Sequence, residues 1–253
     1  MIRRAIVSAA VVVSMLFVAR AQAALVGYWA FDDPVTATTA QASVGGVDGA
    51  LFGDAQFTGT GGVHGGAIQT TNGYVDMGDN FSISSVFSLQ AWVNTVNTTD
   101  FMIAVSKHWA GTPNGYWIGA NSELSPTRPA EFYAASDYGY HTAYGGLPVN
   151  DGQWHQLVGV YDGGGTYRLY VDGAFVASGS GGCSNNTAHF LVGGAFYGQG
   201  SGGTFTFAFS GLIDEVKIWD NALTADEVQV LYDGGGPTPT ATGTWGMVKR
   251  LFR

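Results

Sequence analysis

Hydrophobic and polar positions alternate with a period of two through several stretches of this chain, and glycine-rich or polar breaks separate the stretches. Phe87, Leu89, Ala91 and Val93 alternate with Ser88, Gln90, Trp92 and Asn94, and Phe101, Ile103 and Val105 continue the pattern in the next stretch. Side chains of an extended strand point alternately to its two faces, so the pattern predicts strands of a sandwich of antiparallel sheets. Tyr167, Leu169 and Val171 face opposite to Arg168, Tyr170 and Asp172 after a DGGG turn at Asp162 to Gly165, and Asp172-Gly173 then reads as a two-residue hairpin turn. A meander of three strands is therefore expected from Trp154 to Ala177. Further strands are expected over Tyr116 to Ala120, Glu131 to Ala135, Phe190 to Gly194 and Phe205 to Phe209. No repeat occurs at a solenoid or propeller period.

The segment GLIDEVKIWDNALTADEV, residues 211–228, adds an anomaly. If Leu212 to Trp219 is a regular strand, Asp214 shares a face with Leu212, Val216 and Ile218. A carboxylate among apolar neighbours is costly unless it is paired, hydrogen-bonded or bound to metal. Thr224-Ala225-Asp226-Glu227 then forms a Thr-x-x-Glu capping box, which predicts one short helix running to about Tyr232.

This segment, together with VGYWAFDD (26–33), FSLQAWVNT (87–95) and QWHQLVGVYDGGGTYRLYVDG (153–173), resembles the laminin-G-like, concanavalin-A-like jelly-roll domains of secreted proteins. The likeness runs from about Leu25 to Asp233. It implies an all-β jelly-roll sandwich of two antiparallel sheets with one short C-terminal helix. It is poor in implied activity, because that superfamily includes lectins, adhesion modules, pentraxins and some glycosidases and lyases. It also implies that the first and last strands lie side by side and that a structural calcium is common near them. Asp32 and Asp214 are the metal candidates on that basis, calcium being a hard cation that takes six to eight oxygens. Gln41 stands where related domains often carry an acid, leaving Asp48 or backbone carbonyls to compensate. In the competing reading, Asp214 accepts backbone N–H bonds in a strand corner and binds nothing.

Composition narrows the class. Thirty-nine glycines, seven tryptophans and twelve tyrosines with 11% charged residues describe a β-rich, turn-rich chain, and 253 residues with a continuous strand pattern suit one large domain. Residues 1–23 combine Arg3 and Arg4, an apolar run from Ala5 to Ala19 and Ala21-Gln22-Ala23, the pattern of a secretory signal peptide. The run is shorter than a membrane span needs, so an integral membrane protein is not expected. Cys183 is the only cysteine, which excludes an intrachain disulfide. Losing three arginines with residues 1–23 takes the formal charge from −9 to −12, against nucleic acid or acidic polysaccharide as bulk partners. Residues 234–243 read as a Gly/Pro/Thr linker. Residues 244–253 form a basic and aromatic tail, read either as a frayed end or as a sorting signal that engages cell-envelope components.

Candidate chemistry is sparse. The strand spacing Glu-x-Asp-x-x-Glu of jelly-roll glycosidases is missing, and the five histidines are scattered without metal spacing. Aromatic residues in expected loops remain: Trp109 in KHWAGTPNG, and Tyr138, Tyr140 and Tyr144 in DYGYHTAYGG. Such rings can stack on sugars, or pack over the ends of a sandwich. The leading expectation is a secreted, non-catalytic, calcium-stabilised module that binds glycan or polysaccharide. Two alternatives stand beside it: a cell-surface adhesion or structural protein, and an atypical glycosidase or lyase.

Overall fold

A computed structural model describes residues 24–112, 114–136, 141–198 and 203–235. The expected signal peptide, tail and most of the linker lie outside the described residues, as do Tyr138 and Tyr140. Two eight-stranded sheets face each other. The first runs in the order β15 (Ala174–Ser180), β14 (Thr166–Val171), β13 (His155–Tyr161), β7 (Phe87–Asn94), β19 (Gly211–Trp219), β5 (Ile68–Thr70) and β4 (Gln56–Phe57), with β1 (Leu25–Trp29) on the same edge of β19 as β5. The second runs β12 (Thr142–Gly145), β11 (Ala130–Ala135), β10 (Gly115–Ala120), β8 (Met102–Lys107), β16 (Phe190–Val192), β6 (Tyr74–Asp76), β3 (Gly49–Phe52) and β2 (Thr39–Ala40). A small third sheet, β18 (Thr204–Thr206), β17 (Ala195–Tyr197) and β9 (Trp109–Ala110), contains a parallel pair, β17 with β9.

The main core lies between the two large sheets and takes the alternate residues expected of it. Phe87, Leu89, Ala91 and Val93 of β7 meet Tyr116, Ile118, Phe132 and Ala134 of the opposite sheet. Close approach is needed there: a Cβ on Gly159 of β13 would lie 2.3 Å from the Phe132 ring. The intervening residues of β7 are buried as well, because the helix α1 (Ala225–Gly235) covers the outer face of the first sheet. Trp92 stacks on Tyr232 with ring centroids 5.7 Å apart, and Trp219, Val158 and Val160 pack with Leu223, Val228 and Leu231 in a second core. The capping box forms as the sequence predicts, Thr224 N–H donating to Glu227 at 2.7 Å and Glu227 N–H to the Thr224 hydroxyl at 3.3 Å. The 154–177 meander is also present, with Asp172 and Gly173 both at positive φ in its hairpin turn.

One local expectation is corrected. β19 is not regular at Asp214: Asp214 pairs with Trp92 and Lys217 with Gln90, so Glu215 and Val216 stand opposite Ala91 alone. Glu215 takes the unusual φ of 52° that such a bulge absorbs. The extra residue returns Val216 and Ile218 to the main core beside Ile213 and leaves Asp214 on the face shared with Trp92. Asp214 is buried, but not among the apolar residues to which simple alternation assigns it.

Candidate functional site

Two places on the molecule bury carboxyl groups outside the main core. The first is the corner around Asp214, which is fully buried. The loop 59–66 closes over it: Val63 N–H donates to Asp214 Oδ2 at 2.7 Å, His64 N–H to the same oxygen at 3.3 Å, and Glu215 N–H to Oδ1 at 2.8 Å. Asp32 holds the other end of the loop, accepting from Gly66 N–H at 2.8 Å. The loop must be glycine here. A Cβ on Gly65, whose φ is +68°, would sit 2.1 Å from Asp32 Oδ1, and one on Gly62 would sit 2.8 Å from Asp214 Oδ2. Burial and the neighbouring Glu215 raise the Asp214 carboxyl to about 8, against the pull of its three N–H donors. Glu215 is held in turn by the Tyr28 hydroxyl at 2.8 Å and by Lys217.

Asp32 and Asp214 thus converge on one loop. The groups directed at them are backbone N–H donors, three at Asp214 and one at Asp32. Among the described residues no three His, Cys, Asp or Glu side chains assemble into a metal-holding group.

The second place is a cavity of about 410 Å³ on the outer face of the second sheet. Its floor follows from strand parity. Tyr116, Ile118 and Ala120 of β10 point into the core, so Trp117 points out; Phe132 and Ala134 of β11 point in, so Glu131 and Tyr133 point out. Because Trp117 and Tyr133 are cross-strand partners, their rings lie side by side, 5.3 Å apart and 8° from parallel. Phe101 and Phe207 stand edge-on at one side, and the turn Ala110–Thr112 and the 123–124 segment close others. Glu131 is 4% exposed and lines this space. Burial raises its carboxyl to about 7, although the Ser122 and Thr142 side chains hydrogen-bond it. His108 also lines the cavity. Its Nδ1 lies 2.6 Å from the Asn114 carbonyl, which can only accept, so Nδ1 carries the proton and Nε2 is the free lone pair; burial lowers its pKa to about 4, and it is neutral at pH 7.

The sequence-expected ligand residues fall differently. Trp109 is not on an exposed loop: it lies in β9, 3% exposed, packed near Phe196, because β9 pairs with β17. Tyr144 lies in strand β12 rather than a loop and is 41% exposed, with Glu131 as its strand partner. The sequence reading did not single out Trp117, Tyr133 and Glu131, which line the cavity. The available signal was an aromatic at the outward parity of each of two expected strands.

The fold is that of a jelly-roll β-sandwich, and a comparison of families agrees. Residues 69–229 match the family Laminin_G_3, described as the concanavalin A-like lectin/glucanases superfamily, and the chain belongs to it. Among curated proteins none matches significantly. Among solved structures, domain 4 of AbnA, a GH43 extracellular arabinanase from Geobacillus stearothermophilus in complex with arabinotriose, aligns with a TM-score of 0.63 at 21% identity, over 84% of this chain and 100% of that domain. The binding domain of Paraclostridial Mosquitocidal Protein 1 aligns at 0.60 and 15% identity, over 84% of this chain and 52% of the other. The binding domain of botulinum neurotoxin DC in complex with SialylT aligns at 0.53 and 11%, over 84% and 51%. At these identities the likeness is one of fold. Among the described residues no helix is long and apolar enough to cross a membrane.

Proposed function

We propose that this protein is an exported, non-catalytic glycan-binding module whose ligand occupies the cavity on the outer face of the second sheet. The observation that carries the proposal is the parallel Trp117–Tyr133 pair beside the buried Glu131. The two stacked rings offer an apolar wall for the C–H face of a sugar, and the carboxyl beside them exchanges hydrogen bonds with hydroxyls. The volume lies within the range of roughly 300–1,000 Å³ usual for small-ligand sites. Solved domains of the same fold that bind arabinotriose and SialylT support the reading by analogy. Export rests on the leader pattern of residues 1–23.

The test is a glycan-array screen of the full chain, repeated with Trp117→Ala and with chelator. Binding that disappears in Trp117→Ala supports the cavity; binding that survives the substitution overturns it. Calcium is not assigned to the Asp32 and Asp214 corner in this proposal, because backbone N–H groups are directed at both carboxyls. Chelation should then leave both the melting temperature and glycan binding unchanged. A melting temperature that falls on chelation would put a cation into the account of that corner.

One observation favours a second reading, a glycosidase. Glu123 and Glu131 line the same cavity, and a carboxyl raised to about 7 suits a general acid at neutral pH. Release of reducing ends from a polysaccharide, lost in Glu131→Gln, would establish it.

A further inference from the structure

We propose that Glu131, set against the stacked Trp117 and Tyr133 in a cavity that, among the described residues, no lysine or arginine lines, restricts this site to uncharged glycans. The inference rests on the glycan-binding reading of the cavity and names the ligand class. Of the titratable side chains that line the cavity, Glu123 and Glu131 carry only negative charge, and His108 is neutral because its buried ring is uncharged at pH 7. Tyr133 completes the set among the described residues. A uronate or sialate carboxylate placed on the Trp117–Tyr133 platform therefore meets a like charge in a partly dry cavity, with no cation to pair with it. Such a juxtaposition is far more costly there than at a wet surface.

An uncharged sugar meets the opposite situation. The Ser122 and Thr142 side chains already bond Glu131, which fixes its orientation. The remaining carboxylate lone pairs then suit sugar hydroxyls, and a hydrogen bond to an ionised acceptor is about twice as strong as a neutral one. The described groups facing Glu131 are Thr142 and Tyr144 from β12, the latter the strand partner of Glu131, Ser122 and Glu123 from the segment after β10, and Tyr133 from its own strand. None supplies a positive charge. Because burial sets this carboxyl near neutrality, the discrimination should depend on pH: strongest at pH 8, where Glu131 is ionised, and weaker at pH 5.5, where it is protonated.

The experiment titrates the full chain by calorimetry with arabinotriose, cellotriose and N-acetylchitotriose as neutral probes, and with trigalacturonate and 3′-sialyllactose as anionic ones, at pH 8 and pH 5.5. The expected result is that at least one neutral probe binds at pH 8 ten or more times tighter than either anionic probe. The gap should shrink at pH 5.5 and fall below threefold at both pH values in Glu131→Gln. Glu123→Gln, at the exposed rim, keeps the inference testable if Glu131→Gln does not fold; it should leave more than half of the gap. Anionic probes that bind wild type at pH 8 as tightly as neutral ones overturn the inference while leaving the cavity as a glycan site. A gap that collapses in 0.5 M salt overturns it too, since the protein's bulk charge would then be the cause. No binding by any probe, or binding unaffected by Trp117→Ala, overturns the cavity reading itself.

Discussion

The two large sheets of this sandwich carry buried acids on their outer faces, and the two faces treat them in opposite ways. On the first sheet the helix α1 and the loop 59–66 cover the face, and Asp214 ends in a closed corner with three N–H donors. On the second sheet the face stays open beside β12, and Glu131 ends at the wall of a cavity with two side-chain hydroxyls. Burial raises both carboxyls, to about 8 and about 7. A raised pKa is therefore not what distinguishes the closed corner from the open cavity here. Access is the difference: the loop closes over Asp214, whereas Glu131 lines a cavity.

The comparison breaks most visibly at Asp214. Asp214→Ala removes the acceptor of Val63, His64 and Glu215 N–H, and each orphaned donor costs about 1–3 kcal/mol. A loss of about 3–5 kcal/mol is expected in urea unfolding. Asp214→Asn should also destabilise, because an amide group must turn its own N–H toward one of those donors. Glycan affinity of the folded fraction should not change in either variant. A loss below about 1 kcal/mol would show that the loop is held elsewhere.

On the open face the expected effect is on ligand first. Tyr133→Ala takes away half of the stacked platform and should weaken binding of a neutral trisaccharide at least tenfold, about 1.4 kcal/mol. An unchanged affinity would remove the ring pair from the site and with it the contrast between the faces.

Titration sharpens the comparison further. Each of the two acids has a folded pKa above its unfolded value, so the folded state holds the proton more tightly. The stability this contributes is fully present below about pH 4 and is lost as pH rises through about 7 for Glu131 and about 8 for Asp214. His155 adds to the same trend: hydrogen bonds to Asp172 and Asp151 raise its pKa, so its contribution is present below its unfolded pKa of 6.5 and fades as pH rises through the higher folded value. Unfolding free energy should thus fall between pH 4 and pH 9, by at most about 1.4 kcal/mol per pH unit for each group. A curve that rises over this range would contradict the burial of both acids.

How much of this was legible in the sequence depends on whether the information is local. The hairpin at Asp172-Gly173 and the Thr224–Glu227 box are read from a few adjacent residues, and both occur as expected. The strands carrying Trp117 and Tyr133 were also legible. Their meeting was not, because it depends on the register that places Trp117 opposite Tyr133 across β10 and β11, and alternation within one strand says nothing about register. Trp109 was misplaced for the same reason, its strand existing only through the non-local partner β17. The Asp214 bulge escaped because one extra residue inverts facing without changing composition, and the φ of 52° falls on Glu215, where a glycine would have flagged it.

The smallest effect separates the two faces most sharply. Glu131→Gln preserves shape and can still pair with Ser122 and Thr142, while it removes a charge that the folded state holds poorly above pH 7. At pH 8 the variant should therefore be more stable than wild type, and at pH 4.5 the two should nearly match. Asp214→Asn should be less stable at both. A residue whose conservative replacement stabilises the fold is being kept at a cost in stability, as is usual where binding rather than folding decides the side chain. If Glu131→Gln instead destabilised at pH 8 as Asp214→Asn does, Glu131 would belong with the closed corner as a structural acid.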